Sequence, residues 1–186
     1  MKKRDFKGFF TISSFLVFSG IFLISGCSEP AKTLDEAVKG PQVIVNPGTV
    51  RLGVATLRAT RFVFSGAGFD SGDSVFINLL HVPANGKKVD LPIASADVEE
   101  DGTFDAKVGT LAKVTEFLRA KIGSNEKMEN IIIITGPPMP VGTYTARAIS
   151  MVSDKKAECT LKVRGPSLID RGKDWIGVKL GKIVKK

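Results

Sequence analysis

Few residues in this chain of 186 are equipped for chemistry. It holds one histidine, His81, and two cysteines, Cys27 and Cys159. His81 lies late in the apolar run Ser74 to Val82 and stands beside no motif, which marks a structural histidine rather than a proton shuttle. A nucleophilic serine of the hydrolase type needs a Gly-x-Ser-x-Gly elbow before a helix, and the sequence has none. Gly66-Ala67-Gly68 is not a dinucleotide fingerprint, because the next glycine, Gly72, comes one place too late and strand-like residues follow. No Gly-Lys-Ser/Thr phosphate loop is present. Carboxylates are better supplied. Asp70 and Asp73 flank one turn, and Asp97, Glu99, Glu100, Asp101 and Asp105 crowd another. Calcium takes such oxygen ligands, but the spacing of an EF-hand loop is missing and Asp-Gly is an ordinary turn pair. The expectation is solvated turns, no metal and no cofactor.

The best-defined chemistry is at Cys27. Lys2, Lys3, Arg4 and Lys7 precede an uncharged apolar stretch, Phe9 to Cys27, that ends in Ile24-Ser25-Gly26-Cys27. A cationic start, an apolar run and a small-residue exit form a secretory signal. The exit resembles the lipobox of bacterial lipoproteins. That resemblance implies cleavage before Cys27, acylation of its thiol and new amine, and a mature chain beginning there. An uncleaved helix is the competing reading, since about 19 uncharged residues can just cross a bilayer. The lipobox is favoured, because a spanning helix has no need of a small-small-Cys exit. Ser28, rather than Asp, follows the cysteine. In Gram-negative lipoproteins this implies outer-membrane sorting.

With Cys27 acylated, Cys159 has no partner within the chain. It lies in Ala157 to Val163, where odd positions are apolar, and is expected to be a core thiol. One histidine and one thiol leave too few soft ligands for zinc.

The net charge of +8 is unevenly placed. Residues 1–26 carry four Lys/Arg and one Asp, and residues 171–186 carry six Lys/Arg and one Asp. The remainder, 27–170, has 17 charges of each sign. A neutral body lacks the basic face that nucleic acid requires, so no nucleic-acid partner is expected.

Residues 27–41 are polar and proline-bounded, and are expected to act as a lipidated tether, with a short helical turn within Thr33 to Val38. From Gln42 the texture becomes short β-like runs between turns. The candidates are 43–45, 61–65, 74–82, 89–98, 103–108, 142–151 and 156–163. Seven or eight such strands predict an all-β sandwich or barrel with one wet face per strand.

Three segments within 42–164 resemble, in order, the immunoglobulin-like modules of bacterial surface proteins, the IPT/TIG type included. They are Gly66, Gly68 and Phe69 at a strand end; Gly102, Thr103 and Phe104 after an acidic turn; and Pro140, Gly142, Thr143 and Tyr144 opening a late strand. The resemblance implies a single immunoglobulin-like β-sandwich used for binding, spacing or assembly, with no shared catalytic residues. Tyr144, the only tyrosine, stands where a corner tyrosine ties its hydroxyl to backbone.

The chain departs from those modules between Gly109 and Pro140. Leu111, Val114, Leu118 and Ile122 recur at helical spacing, which predicts an amphipathic helix over 110–122, capped by Thr110 and closing one end of the sandwich. Ile131 to Ile134 reads as a buried strand, and 136–140 as a stiff extended loop.

The basic tail, 165–186, supports three readings. Wound as a helix from Asp170, Ile176, Leu180, Ile183 and Val184 share a stripe, with Lys179, Lys182, Lys185 and Lys186 opposite. Such a helix lies on an anionic surface. Gly177 and Gly181 each cost it about 1 kcal/mol relative to Ala. Ile176, Val178 and Leu180 also alternate as an extra strand, and a solvated basic tail is the third reading. Trp175, Lys179, Lys182, Lys185 and Lys186 are the candidate membrane or partner contacts.

Together these features describe a lipid-anchored protein of the bacterial envelope. It touches the membrane through Cys27 and presents a non-catalytic domain to another envelope protein. An enzyme with its site in 109–140, or a carbohydrate-binding module, are the alternatives. Trp175 is the only tryptophan, which is little aromatic surface for a sugar.

Overall fold

The period-two alternation is realised as paired strands. The computed structural model describes residues 30–84 and 86–185, and its larger compact unit begins at Ala31. Cys27 and Lys186 lie outside the described residues.

Three strands form the first sheet: β1 (Gln42–Asn46), β3 (Val63–Ala67) and β6 (Phe104–Lys107), all antiparallel with β3 central. After Pro47 the chain leaves that sheet. Its continuation, β2 (Thr49–Arg51), pairs in parallel with β10 (Lys156–Arg164) at the edge of a second sheet. That sheet continues through β9 (Gly142–Ser150), β4 (Ser74–Ala84) and β5 (Lys87–Asp97). Both sheets send alternate side chains into one core. Val43, Val45, Phe64, Phe104 and Ala106 come from the first, and Val75, Ile77, Leu79, Tyr144, Ala146, Leu161 and Val163 from the second.

Gly66 is fixed by this packing, since a Cβ there would stand 2.2 Å from the Phe104 ring. Gly68 has φ +80°, and a Cβ there would lie 2.3 Å from the Gly40 carbonyl oxygen. The glycine pair singled out in the sequence thus serves close packing and a left-handed turn.

A third sheet, in the order β11-β8-β7, stands apart in hydrogen bonding. Its strands are β7 (Ala120–Ser124), β8 (Asn130–Ile134) and β11 (Ile183–Lys185). β8 is antiparallel to β7 and parallel to β11. The expected isoleucine strand is present, with Ile131 and Ile132 buried.

The helical elements are short. α1 (Val54–Ala59) follows β2. α2 (Thr110–Ala112) runs straight into a π-helical turn, Lys113–Phe117. α3 (Leu168–Lys179) follows β10. The chain is therefore mainly β, in three sheets with few helices.

Three expectations need correction. The helix expected over 110–122 ends by Phe117, and Arg119 adopts φ 49° before the chain enters β7. Ile122, assigned to a helical stripe, instead pairs with Ile132 across β7 and β8. The reason is pairing: a four-isoleucine strand needs partners for its backbone groups, and that requirement overrides helical periodicity. Leu111 is exposed, while Phe117 packs edge-to-face on Phe62 at 5.6 Å.

The tail is not a solvated extension. It folds as α3, a turn at Gly181 and strand β11. The extra strand is Ile183–Lys185, rather than Ile176 to Leu180.

Much of the expected tether, too, packs on the domain. The Lys32 backbone N–H donates to Asn46 Oδ1 at 2.8 Å, and Asn46 Nδ2 returns a bond to the Lys32 carbonyl at 2.8 Å. Gln42 is bonded in the same reciprocal way to the Asp35 backbone, at 3.0 and 2.9 Å. Where the helical turn was expected, Val38 N–H closes a turn on the Asp35 carbonyl at 3.1 Å.

Candidate functional site

The groove beside α3

The end of the second sheet, where β2 and β10 finish, carries α1, α3 and the third sheet. Between them lies a groove of about 610 Å³. Its walls are largely apolar: Leu52, Val54, Leu118, Ile134, Pro138, Val178 and Ile183, with Trp175 at one side. Arg171, Asp174 and Lys185 supply charge there.

Local chemistry explains how α3 is placed. Ser167 and Asp170 form a reciprocal capping box, with Asp170 N–H donating to Ser167 Oγ at 3.1 Å and Ser167 N–H to Asp170 Oδ2 at 2.7 Å. The Thr56 hydroxyl of α1 donates to Asp170 Oδ1 at 2.5 Å. Burial pushes the Asp170 carboxyl up, but Thr56, Ser167 and the Arg51 charge outweigh it and hold it below its ordinary value. One turn on, Asp174 accepts the free N–H groups of Val54 and Ala55, both at 3.0 Å. Gly53 has no side chain to cap α1, so Asp174 caps it from 120 residues away. A Cβ at Gly53 would stand 2.6 Å from Asp170 Cβ, so glycine is what lets α3 approach. Gly177, counted above as a weakness of the helix, sits under Ile183: a Cβ there would meet its Cδ1 at 2.6 Å.

α3 is consequently turned inside out. Asp170, Asp174 and Gly177 form the row facing the protein. Leu168, Trp175 and Lys179 form one outer row, and Ile169, Ile176 and Leu180 the next. Leu168 is 84% exposed, Trp175 62% and Leu180 64%.

Of the candidate contacts, Trp175 and Lys185 meet at the groove. Lys179 Nζ lies 5.8 Å from the Trp175 ring centroid. Lys182 is in the turn after α3, its N–H donating to the Gly177 carbonyl at 2.9 Å and its carbonyl accepting from Ile132 at 2.9 Å. Cys27, where acylation is expected, and Lys186 fall outside the described residues. The sequence reasoning missed Asp170, Arg171 and Asp174. The Ser167-x-x-Asp170 box was the available signal for the helix start, two residues before the position assumed.

Residues elsewhere with chemical potential

The acidic turns are internally engaged. Asp73 accepts from the Ser150 hydroxyl, from Ser74 N–H at 2.7 Å and from Val152 N–H at 3.2 Å. The Ser150 bond leads the lowering of its pKa, against desolvation. Asp70 pairs with Lys155 at 2.6 Å, Asp101 accepts twice from Thr103, and Asp105 accepts from Ser65 at 2.6 Å. Among the described residues no group of three or more His, Cys, Asp or Glu is arranged to hold a metal.

His81 lies exposed at a bulge of β4, with φ 55° and its N–H on Asp90 Oδ1 at 2.8 Å. Cys159 is half-buried and packs against the core, and burial pushes its thiol up to about 11. A thiol with so high a pKa is a poor nucleophile at neutral pH. Lys113 is buried, with Nζ donating to the Thr60 carbonyl at 2.6 Å and lying 5.5 Å from the Phe62 ring centroid. Burial and the Arg61 charge lower its pKa. Among the described residues no helix is long and apolar enough to cross a membrane.

Comparison with known proteins

A mainly β unit with an apolar groove and an outward-facing apolar helix is what the chain presents for comparison. No family model and no curated protein matches it. Among solved structures, the β-glucosidase EmGH1 of Erythrobacter marinus is similar over 67% of this chain, with TM-score 0.36 and 11% identity. A β-glucosidase of Listeria innocua, in complex with glucose, gives TM-score 0.35 and 13% identity over 67% of this chain. The chain spans only 15% and 16% of the length of those two enzymes. The bacterial hydrophobin BslA is covered over 96% of its length, with TM-score 0.30 and 14% identity. Likenesses this slight transfer no activity to the present chain.

Proposed function

We propose that this is a lipid-anchored protein of the bacterial envelope, acylated at Cys27, whose domain is an immunoglobulin-like β-sandwich that binds or scaffolds another envelope protein without catalysis. One observation carries it: the lipobox-like Ile24-Ser25-Gly26-Cys27 stands immediately before a unit that begins at Ala31.

Two features support the immunoglobulin-like part. The first strand switches sheets, pairing as β1 with β3 and as β2 with β10. Tyr144 donates its hydroxyl to the Pro140 carbonyl at 2.6 Å, as a corner tyrosine does. The absence of aspartate after Cys27 favours the outer membrane in a cell that has one.

Metabolic labelling with a fatty acid tests the anchor. Wild type should be labelled and shortened by its signal, whereas Cys27→Ser should accumulate as an unlabelled precursor. Equal labelling of the two would defeat the proposal. Crosslinking in intact cells, read by mass spectrometry, then identifies the envelope partner.

A further inference from the structure

The outer face of α3 is the wrong way round for a helix that merely covers a core. Helices on globular proteins turn apolar residues inward and charges out. In α3 both carboxylates point inward, consumed by Ser167, Thr56, Val54 and Ala55. The exposed rows carry Leu168, Ile169, Trp175, Ile176 and Leu180.

The charges left exposed on this segment have one sign. Arg171, Lys173, Lys179, Lys182 and Lys185 are all exposed, and the segment 165–185 contains no acid besides Asp170 and Asp174. An apolar strip edged only by cations complements an anionic lipid surface: the strip enters the acyl boundary and the lysines meet headgroup phosphates. A protein partner of ordinary composition supplies no reason for that uniform sign.

The path of the chain points the same way. Lys32 is held at Asn46 and Asp35 at Gln42, so residues 32–35 run back along β1, away from β2. The chain therefore enters the domain from the end at which β2, β10 and α3 lie. Four residues lie between Cys27 and Lys32 in the sequence.

We infer that the outer face of α3, centred on Trp175 and edged by Lys173, Lys179 and Lys182, is a docking surface for anionic phospholipid bilayer. It would fix the orientation of the domain on the membrane that Cys27 anchors. The inference rests on the envelope reading above, and it adds a second, reversible attachment that depends on lipid charge.

Trp175 is the only tryptophan, so its fluorescence reports this face alone. The full chain is reconstituted into phosphatidylcholine vesicles and into mixed phosphatidylcholine–phosphatidylglycerol vesicles. Flotation reports anchoring by the N-terminal segment on either vesicle. Quenching of Trp175 by brominated lipid and by acrylamide reports α3. In the anionic vesicles brominated lipid should quench Trp175, and the acrylamide quenching constant should fall several-fold. Both effects should disappear in high salt and in Lys179→Glu/Lys182→Glu, whose altered side chains are exposed and leave the fold intact by circular dichroism. If the protein floats with both vesicles but Trp175 stays equally open to acrylamide in both, the docking surface is refuted while the anchor stands. If protection instead follows protein density and ignores lipid charge, a second copy of the chain covers the face and the inference is again overturned.

Discussion

Tyr144 and Lys113 illustrate what single residues contribute here. The Tyr144 ring is buried among core residues, and its hydroxyl reaches the Pro140 carbonyl at 2.6 Å. Tyr144→Phe keeps the ring and strands the carbonyl, so urea unfolding should show a loss of about 1 kcal/mol. Lys113 is the opposite case, a cation whose pKa burial has lowered. The unfolded chain binds that proton more tightly than the folded one. Stability therefore rises with pH between the lowered pKa and the ordinary 10.5. Lys113→Met should flatten that limb of the stability–pH curve, and an unchanged limb would show that the ammonium is not desolvated.

At the scale of elements, α1 and α3 hold each other. α1 has only six residues, too few to be stable alone, and its leading N–H groups find their acceptor in Asp174. Asp174→Ala should destabilise the protein by about 1–2 kcal/mol, measured by denaturant midpoint, through loss of a cap supplied by another helix. Gly177 belongs to the same contact. Helix propensity alone would favour alanine there, but the added methyl would meet Ile183, so the position has been given over to packing.

At the scale of the molecule, the last twenty or so residues are structural. β11 pairs with β8 through Ile183, Val184 and Lys185, opposite Ile132, Ile133 and Ile134. Removing residues 166–186 would leave one edge of a four-isoleucine strand bare and take Ile183 from the core. Bare apolar edges invite pairing with other chains. The truncated protein should unfold at a lower temperature and aggregate, as followed by circular dichroism and light scattering. A solvated tail could be removed without either effect.

Several features were legible in the sequence because their causes are local. Short β-like runs between turn residues, several of them alternating polar and apolar, placed β1, β3, β4, β5, β6, β9 and β10, since a half-buried strand alternates whatever it pairs with. The glycines at 66 and 68 and the tyrosine at 144 announced a turn and a corner, because few other residues tolerate those positions. The signal proposed for residues 1–26 is a reading of residue types alone. What only the tertiary structure decided involves partners far away in the chain. Ile122 continues the helical spacing of Leu111, Val114 and Leu118, yet lies in β7 because β8 demands hydrogen bonds. Lys113 enters the interior because the Thr60 carbonyl and the Phe62 ring are waiting there. α3 shows its apolar rows to solvent because Asp170 and Asp174 find donors on α1, more than 110 residues earlier. Periodicity can mark two faces of a helix, but which face turns inward depends on the groups that meet it.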